Sequence, residues 1–331
     1  MSETPAAAAR PTSYDTVHVV TADCRAALLD ELAHRGSRVV DERSGLVFSR
    51  AMPGIAAWAR NSWLAPAEYR IDSISSAARL LRSIQRNWHL HSVSHHRRAH
   101  LIEDKLPPLR GKPRHFPLTV PTAPLGGFAL LDRDRLLASP VCSSAFADGV
   151  PLFHEDRQGP PNRAYLKLWE ALTLARDVPA PGQLCLDLGA APGGWSWVLA
   201  RLGADVLAVD RTALAPELMA DKHVALRRGD AFGIRLADLD RPPDWLLSDV
   251  IAYPERLLEL AQYWCAACPH AGVIITVKCQ GTVDAALMDR FLDIERGRLL
   301  HLAANKHELT FFRLPDGGPP EAARRLTQPA G

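Results

Sequence analysis

Two charged residues end predicted buried strands in the C-terminal half of the chain. Asp249 follows the apolar stretch 245–248, and Lys278 follows the apolar stretch 273–277. A charged side chain at the end of a buried strand is costly unless it reaches a cleft or a partner. Because ligands bind beyond the carboxyl ends of parallel strands, both residues indicate a functional edge of a sheet, where side chains of these types can do acid and base chemistry.

A glycine-rich turn, residues 189–194, follows another predicted strand and opens a predicted helix. Glycines let the backbone approach a ligand closely, and the first turn of the helix offers free N–H groups. The next predicted strand ends in Asp210, 23 residues after Asp187. This is close to the ~20-residue separation at which an acid binds a ribose diol. These features together predict a cofactor that contains adenosine.

The same turn bears on which adenosine cofactor is bound. A dinucleotide fingerprint has three glycines, whereas this turn has Gly189, Ala191 and Gly194 at those positions with Pro192 inserted. A dinucleotide-dependent oxidoreductase is therefore the weaker alternative. Asp230 follows the third predicted strand, and we expect its carboxylate to accept a hydrogen bond from the adenine amino group. The alternative is that Asp230 is an ordinary helix cap.

Strand and helix patterns alternate from about residue 162 onward, which predicts an α/β fold with a doubly wound, mostly parallel sheet. The chain then closes with a predicted antiparallel edge pair, 299–303 and 309–313. The predicted parallel strands are 184–188, 206–209, 224–227, 245–248 and 273–277, and the predicted helices are 195–202, 254–268 and 283–294.

The N-terminal half predicts a smaller α+β domain. This domain contains a strand at 16–20, a helix at 26–34 and strands at 38–40 and 46–48. A further hairpin at 128–137 is predicted in the segment that joins the two domains. Proline-rich stretches divide the chain into frayed ends and three parts. The predicted bounds are 1–12 (disordered), 13–106 (accessory domain), 107–161 (joining segment), 162–315 (α/β domain) and 316–331 (flexible tail).

Composition excludes several classes of protein. Of the 331 residues, 47% are hydrophobic and 23% are charged, which is typical of a folded globular protein, and the net charge is only +2. The six scattered cysteines favour a reducing compartment, so we expect a cytoplasmic protein without disulfides. No stretch has the composition of a secretory signal or a membrane helix, so no membrane partner is expected.

The chain from about residue 162 resembles the FtsJ-like ribose 2′-O-methyltransferases. The stretch 187–196 is similar to their S-adenosylmethionine loop, and 162–168 is similar to the stretch before it. That family has a Lys-Asp-Lys-Glu tetrad, matched here in order by Lys167, Asp249, Lys278 and Glu308. The resemblance implies a Rossmann-like fold and S-adenosyl-L-methionine bound by Gly189, Ala191, Pro192, Gly193, Gly194, Trp195, Asp210, Asp230 and Asp249.

Within that family, the spacing from Asp249 to Pro254 resembles the RlmM-type branch, which methylates a cytidine ribose of 23S ribosomal RNA. The chain departs from the FtsJ pattern after Lys278, where the stretch 279–281 is one residue shorter. The resemblance implies an enzyme that methylates RNA, with 23S rRNA or a large-subunit precursor as partner and no obligate protein partner or metal. Alternatives are a methyltransferase of another RNA and an RNA-associated, cofactor-binding factor without turnover.

A ribose hydroxyl is a poor nucleophile, so a positioned base is expected to help by roughly 10²–10⁴-fold. Lys278 is the candidate for this base. A second cation at Lys167 and partial burial favour the neutral amine, whereas Asp249 and Glu308 favour the charged form and fix its orientation.

A basic segment, residues 82–114, carries eight Lys or Arg side chains and two acids. Its histidines and Trp88 suit stacking on bases, so we interpret it as an RNA-contacting surface, with a solvated helix face as the alternative and zinc binding disfavoured. Cys265 and Cys268 form a C-x-x-C that we interpret as a packed helix end. The remaining aromatic residues predicted to lie in the core are Trp63, Trp169 and Trp264.

Overall fold

The computed structural model describes residues 9–51, 55–109, 111–279 and 284–314. The chain divides into two compact units. Among the described residues, the N-terminal unit comprises 9–51, 55–109, 111–113 and 121–152, and the C-terminal unit comprises 114–120, 153–279 and 284–314. In the part of the chain that the structure describes, no helix has the length and apolar character needed to cross a membrane.

The N-terminal unit contains two four-stranded sheets, with strand orders β2-β3-β1-β4 and β5-β8-β7-β6. Ser73 caps α2, because its hydroxyl accepts from the Ser76 N–H at 3.0 Å while the Ser76 hydroxyl accepts from the Ser73 N–H. The elements are β1 (Thr16–Val19), α1 (Arg25–His34), β2 (Arg38–Arg43), β3 (Leu46–Arg50), β4 (Asn61–Trp63), β5 (Ala67–Arg70), α2 (Ile74–Ile84), β6 (Trp88–Leu90), α3 (His96–Glu103), β7 (Gly126–Asp132) and β8 (Arg135–Ser139).

The strand β7 is buried on both faces, which explains its nearly continuous apolar sequence. Phe128 and Leu130 pack in one core cluster with residues of α2 and α3. Ala129 and Leu131 point the other way and pack in a second cluster with residues of β1 and β3. The second sheet therefore lies between the two helices and the first sheet.

The hairpin of β7 and β8 belongs to the N-terminal unit, whereas the sequence assigned it to a joining segment, 107–161. In the structure β8 pairs with β5 and β7 pairs in parallel with β6. The hairpin was visible in the sequence as alternating apolar residues, but its partner strands are only three or four residues long. Such short strands carry too little periodicity to be recognised.

The predicted frayed ends lie mostly outside the described residues, since 1–8 and 315–331 are not described. The described part of the predicted disordered N-terminus is attached to the N-terminal unit. The N–H of Arg10 donates to the carbonyl of Glu68 at 2.9 Å.

The C-terminal unit is built on a seven-stranded sheet of order β11-β10-β9-β12-β13-β15-β14. The strands β9 to β13 are parallel, and β15 runs antiparallel to β13 and β14. The elements are α4 (Tyr165–Ala175), β9 (Leu184–Leu188), α5 (Gly194–Arg201), β10 (Asp205–Asp210), α6 (Pro216–Met219), β11 (Val224–Arg228), β12 (Trp245–Ser248), α7 (Pro254–Ala267), β13 (Gly272–Lys278), α8 (Ala285–Leu292), β14 (Arg298–Leu300) and β15 (Glu308–Arg313).

This sheet confirms the predicted doubly wound α/β architecture and its antiparallel edge. The chain leaves β9 toward β10 on one side and β12 toward β13 on the other, so the strand order reverses between β9 and β12. Right-handed crossovers in opposite directions place α5 and α7 on opposite faces of the sheet. A ligand crevice is expected at this switch point, beyond the carboxyl ends of β9 and β12.

The basic segment does not form one continuous element. Arg110 lies outside the described residues, Arg114 belongs to the C-terminal unit, and α3 buries Ala99 and Ile102 while Arg97 on its other side is exposed. An amphipathic helix of this kind fits the solvated-face interpretation as well as RNA contact.

Two histidines of the basic segment point inward and share one carboxylate. His89 Nε2 lies 3.2 Å and His91 Nδ1 3.0 Å from Oδ2 of Asp148. We call His89, His91 and Asp148 the histidine cluster. Burial lowers the pKa of His91, but the hydrogen bond and charge of Asp148 outweigh this and raise it. Burial raises the pKa of Asp148, and the two imidazoles outweigh that and hold it well below its usual value.

The core tryptophans and the C-x-x-C lie where the sequence predicted. Trp63, Trp169 and Trp264 are buried. Cys265 and Cys268 are buried free thiols at the end of α7, and their carbonyls accept from the buried guanidinium of Arg313. Arg313 therefore satisfies the last carbonyls of this helix.

Candidate active site

The four predicted catalytic residues meet at one edge of the seven-stranded sheet. Lys278 is the last residue of β13 and pairs in register with Glu308, the first residue of the antiparallel strand β15. Asp249 directly follows β12, the parallel neighbour of β13. Lys167 projects from the first turn of α4. We call Lys167, Asp249, Lys278 and Glu308 the tetrad.

The tetrad is a connected network of ion pairs. Lys167 Nζ lies 2.6 Å from Oε1 of Glu308 and 3.2 Å from Oδ1 of Asp249. Lys278 Nζ lies 3.4 Å from the same Oδ1 and donates to the main-chain carbonyl of Asp249 at 2.8 Å. The Asp249 carboxylate therefore stands between the two amines, and the bond to its carbonyl fixes the direction of the Lys278 amine.

The tetrad is partly shielded from water but reaches the surface. The exposed fraction of its side chains runs from 10% for Glu308 to 19% for Lys278. The tetrad brings two amines and two carboxylates together, and at this burial the attraction between opposite charges is stronger than in bulk water. This geometry suits an amine that receives a proton from a bound hydroxyl while its other contacts hold it in place.

The glycine-rich turn lies at the carboxyl end of β9, the strand beside β12. Gly189 and Gly193 have φ of +75° and +114°, a region that favours glycine. A Cβ on Gly189 would lie 2.6 Å from the Cβ of Val250, and one on Gly193 would overlap Leu218. A Cβ on Gly194 would likewise overlap the side-chain oxygen of Asn162. The turn therefore needs glycine at these positions, because its main chain packs closely against Val250, Leu218 and Asn162.

Asp210 holds this turn from the neighbouring strand. Its Oδ2 accepts from the N–H of Ala191 at 3.0 Å, and its Oδ1 accepts from the N–H of Thr212 at 2.8 Å. The carbonyl of Pro192 accepts from the N–H of Ala215 at 2.9 Å. Each oxygen of Asp210 retains a lone pair, so a diol can still donate to this carboxylate.

Asp187 lies beneath the turn, and the sequence interpretation did not include it among the site residues. It is buried in β9, and Oδ2 accepts from the Ser196 hydroxyl at 2.6 Å. Burial raises the pKa of Asp187 to about 7, with the nearby charges of Asp249 and Asp210 adding to the effect and the bond from Ser196 opposing it. The signal in the sequence is an acid inside an otherwise apolar strand.

Two predicted cofactor-binding residues have other roles for their side chains. Trp195 is buried in the core, and its Nε1 donates to the carbonyl of Ala164 at 2.9 Å, so only its main chain faces the turn. A large apolar ring at the second position of α5 packs inward because the first turn of the helix lies over the core. The Trp195 side chain therefore packs in the core, and a cofactor contact through the main chain of Trp195 stays a prediction.

Asp230 follows β11 on the same edge, but its carboxylate is already engaged. It accepts from the N–H of Phe232 at 3.1 Å and lies 3.0 Å from Arg211 Nη2 and 3.5 Å from Arg256 Nη2. The Phe232 N–H and the two guanidinium groups lower the pKa of Asp230. The cap-like bond is the alternative that the sequence left open, and an adenine contact for Asp230 stays a prediction.

A buried carboxylate that the sequence did not reveal anchors the loop leading to Glu308. Glu170 lies one turn after Lys167 on α4, and it accepts from the N–H groups of Ala303 and Ala304 at 2.7 and 3.0 Å. The Asn305 side chain donates to the carbonyl of Glu308 at 3.1 Å. One helix thus supplies both Lys167 of the tetrad and Glu170, which anchors the loop.

The predicted shorter stretch after Lys278 lies largely outside the described residues, which omit 280–283.

The C-terminal unit matches a known family model. Residues 160–293 match the model of the FtsJ-like methyltransferase family, which confirms the resemblance drawn from the sequence for this stretch. The matched stretch includes the glycine-rich turn and three members of the tetrad, and Glu308 lies beyond it.

The chain is also similar to curated proteins named ribosomal RNA large subunit methyltransferase M. It is 40% identical over 119 residues to the one from Halorhodospira halophila, covering 35% of this chain and 34% of the relative. It is 34% identical over 184 residues to the one from Methylococcus capsulatus, covering 53% of this chain and 49% of the relative. The matched part thus spans about a third to a half of these relatives' length.

Proposed function

We propose that the protein transfers a methyl group from S-adenosyl-L-methionine to a ribose 2′-hydroxyl of RNA, with large-subunit ribosomal RNA as the substrate. The observation that carries this proposal is the tetrad, in which Lys278 is oriented by Asp249 beside the glycine-rich turn. The family match of residues 160–293 and the names of the relatives support the reaction class and the substrate.

The residues at the turn fit the cofactor. Gly189 and Gly193 let the main chain of the turn pack closely against Val250 and Leu218, and Asp210 offers a carboxylate to a ribose diol. The cofactor supplies an activated methyl group, so the protein's task is to hold the acceptor hydroxyl in line and to receive its proton.

In this mechanism the neutral amine of Lys278 takes the hydroxyl proton as the new C–O bond forms. The carbonyl of Asp249 accepts an N–H of that amine and keeps its lone pair directed toward the substrate. Lys167 forms ion pairs with the carboxylates of Asp249 and Glu308. Its positive charge offsets the negative charge that would otherwise favour the protonated form of Lys278. Glu308 fixes Lys167 in this position.

The N-terminal unit is proposed to select the RNA site, with exposed basic residues of the basic segment binding phosphates. The test begins with the purified chain, methyl-labelled S-adenosyl-L-methionine and ribosomal RNA from cells that lack the protein. Label at one ribose, mapped as a 2′-O-methyl group, is the expected result. Cofactor binding without any transfer to this RNA would contradict the proposal and favour another RNA or a cofactor-binding factor without turnover.

A further inference from the structure

Two large apolar side chains are almost fully exposed directly after Asp249. Ile251 retains 75% and Tyr253 71% of their possible exposure. Among the described large apolar residues, the next most exposed is Met219 at 49%. Ile251 and Tyr253 are two residues apart in the same loop, and neighbouring exposed apolar side chains mark interaction surfaces.

The loop that carries these side chains is fixed at both ends. At its start, the Ser248 hydroxyl donates to the carbonyl of Leu188 at 2.9 Å, and Val250 packs against Gly189. At its end, Tyr253 is the N-cap of α7, and its carbonyl accepts from the N–H of Arg256 at 3.1 Å. The main chain of Tyr253 is therefore fixed at the start of a 14-residue helix, and its ring projects from that point.

The position of the pair relates it to the tetrad. Tyr253 is four residues after Asp249, so its Cα lies within about 14 Å of the residue that orients Lys278. A nucleotide whose ribose reaches Lys278 would bring its base, or that of its neighbour, to this distance.

We propose that Ile251 and Tyr253 form a platform on which a base of single-stranded RNA stacks next to the reactive ribose. The proposal rests on the proposed function in taking RNA as the substrate. An aromatic ring with an adjacent aliphatic side chain matches the flat face of a nucleobase, and unpaired bases are commonly bound in this way. A stable protein partner needs about 800 Å² of surface on each side, far more than two side chains supply.

The test compares Tyr253→Ala and Tyr253→Phe with the wild type in the full chain. Binding is measured by fluorescence anisotropy with a labelled single-stranded RNA of about 16 nucleotides, and with an abasic ribose-phosphate strand of the same length. The alanine variant is expected to bind the RNA roughly 5- to 100-fold more weakly and the abasic strand as the wild type does. The phenylalanine variant keeps the ring and is expected to bind both strands as the wild type does.

Met219→Ala is the matched control, because it removes another exposed apolar side chain from the same unit. Unchanged RNA binding in Tyr253→Ala would overturn the platform, as would equal losses on the two strands. A change in self-association by light scattering, without a change in RNA binding, would instead assign the surface to contacts between copies of the chain.

Methyl transfer and cofactor binding, measured on the same proteins, separate this inference from the proposed function. If the wild type transfers methyl groups and Tyr253→Ala does so with unchanged KM and kcat, the platform is wrong and the function stands. If the wild type binds RNA through Tyr253 but transfers nothing, the function is wrong and the platform stands as an RNA-binding surface.

Discussion

The tetrad and the histidine cluster each place one carboxylate between two basic side chains, but they do so in different settings. The tetrad collects side chains from a helix and three strand ends, beside the glycine-rich turn. In the histidine cluster, His91 also bonds through Nε2 to the carbonyl of Ser44 at 3.0 Å. Asp148 itself lies in a short turn with a left-handed φ of 46°.

The difference shows that the surroundings, more than the charges, distinguish a reactive group from a structural one. The tetrad lies at a sheet edge beside the glycine-rich turn, where its side chains remain 10% to 19% exposed. The histidine cluster joins β6 and the residue after it to the turn at Asp148 within the N-terminal unit, and His91 spends both ring nitrogens on Asp148 and the carbonyl of Ser44. We therefore expect the tetrad to control turnover and the histidine cluster to control stability.

The largest expected effect is the loss of methyl transfer in Lys278→Ala. Removing the base is expected to lower kcat by roughly 10²- to 10⁴-fold while cofactor affinity stays close to that of the wild type. Lys278→Arg sharpens the test, because arginine keeps the charge beside Asp249 but does not accept a proton. Single-turnover transfer and calorimetric cofactor binding measure the two quantities, and an active arginine variant would assign Lys278 an electrostatic role.

The second-largest expected effect is a loss of cofactor affinity when Asp210 is replaced. Asp210→Ala removes the carboxylate that holds the turn and that we propose binds a ribose diol, so cofactor affinity is expected to fall about 10- to 100-fold, as for the loss of a hydrogen bond to a charged group. Asp205→Ala is the control, since Asp205 starts the same strand at the opposite edge. Equal affinities in the Asp210 variant and the wild type would remove Asp210 from the cofactor site.

Sequence reasoning succeeded where local patterns carry the information. The strands β9, β12 and β13 are buried on both faces and appear as nearly continuous apolar runs, and Asp249 and Lys278 stand out because a charge follows or ends a run. Contacts between distant segments were not predictable in this way. Asp148 meets His91 from a position 57 residues further along the chain, and the clamp of Glu170 reaches across 133 residues. No periodicity within either segment specifies such a partner.

Asp148→Ala tests the other side of the comparison. It leaves two partly buried imidazoles without their carboxylate, and we expect a loss of about 1–3 kcal/mol in the free energy of unfolding of the N-terminal unit. Cofactor affinity is expected to stay unchanged. Asp132→Ala is the matched control, because Asp132 meets His95 at an exposed site where such a pair contributes little. Urea unfolding measures both, and similar losses in the two variants would argue against a structural role specific to the histidine cluster.

The smallest effect is the dependence of the Asp148→Ala loss on pH. The lowered pKa of Asp148 means that its contribution to stability is present above its unfolded value of about 4 and lost on acidification. The raised pKa of His91 means that the contribution of its charged form is complete below its unfolded value of about 6.5 and declines as pH rises through the folded value. The difference in stability between wild type and variant should therefore be largest between about pH 4 and 6.5 and smaller in alkali. The pKa of the buried Asp187 carboxyl is raised to about 7, so this group lowers the free energy of unfolding as pH rises. The effect is the same in both proteins and cancels from this difference. A difference that grows with rising pH would show that the bonds of the histidine cluster do not depend on the imidazolium of His91.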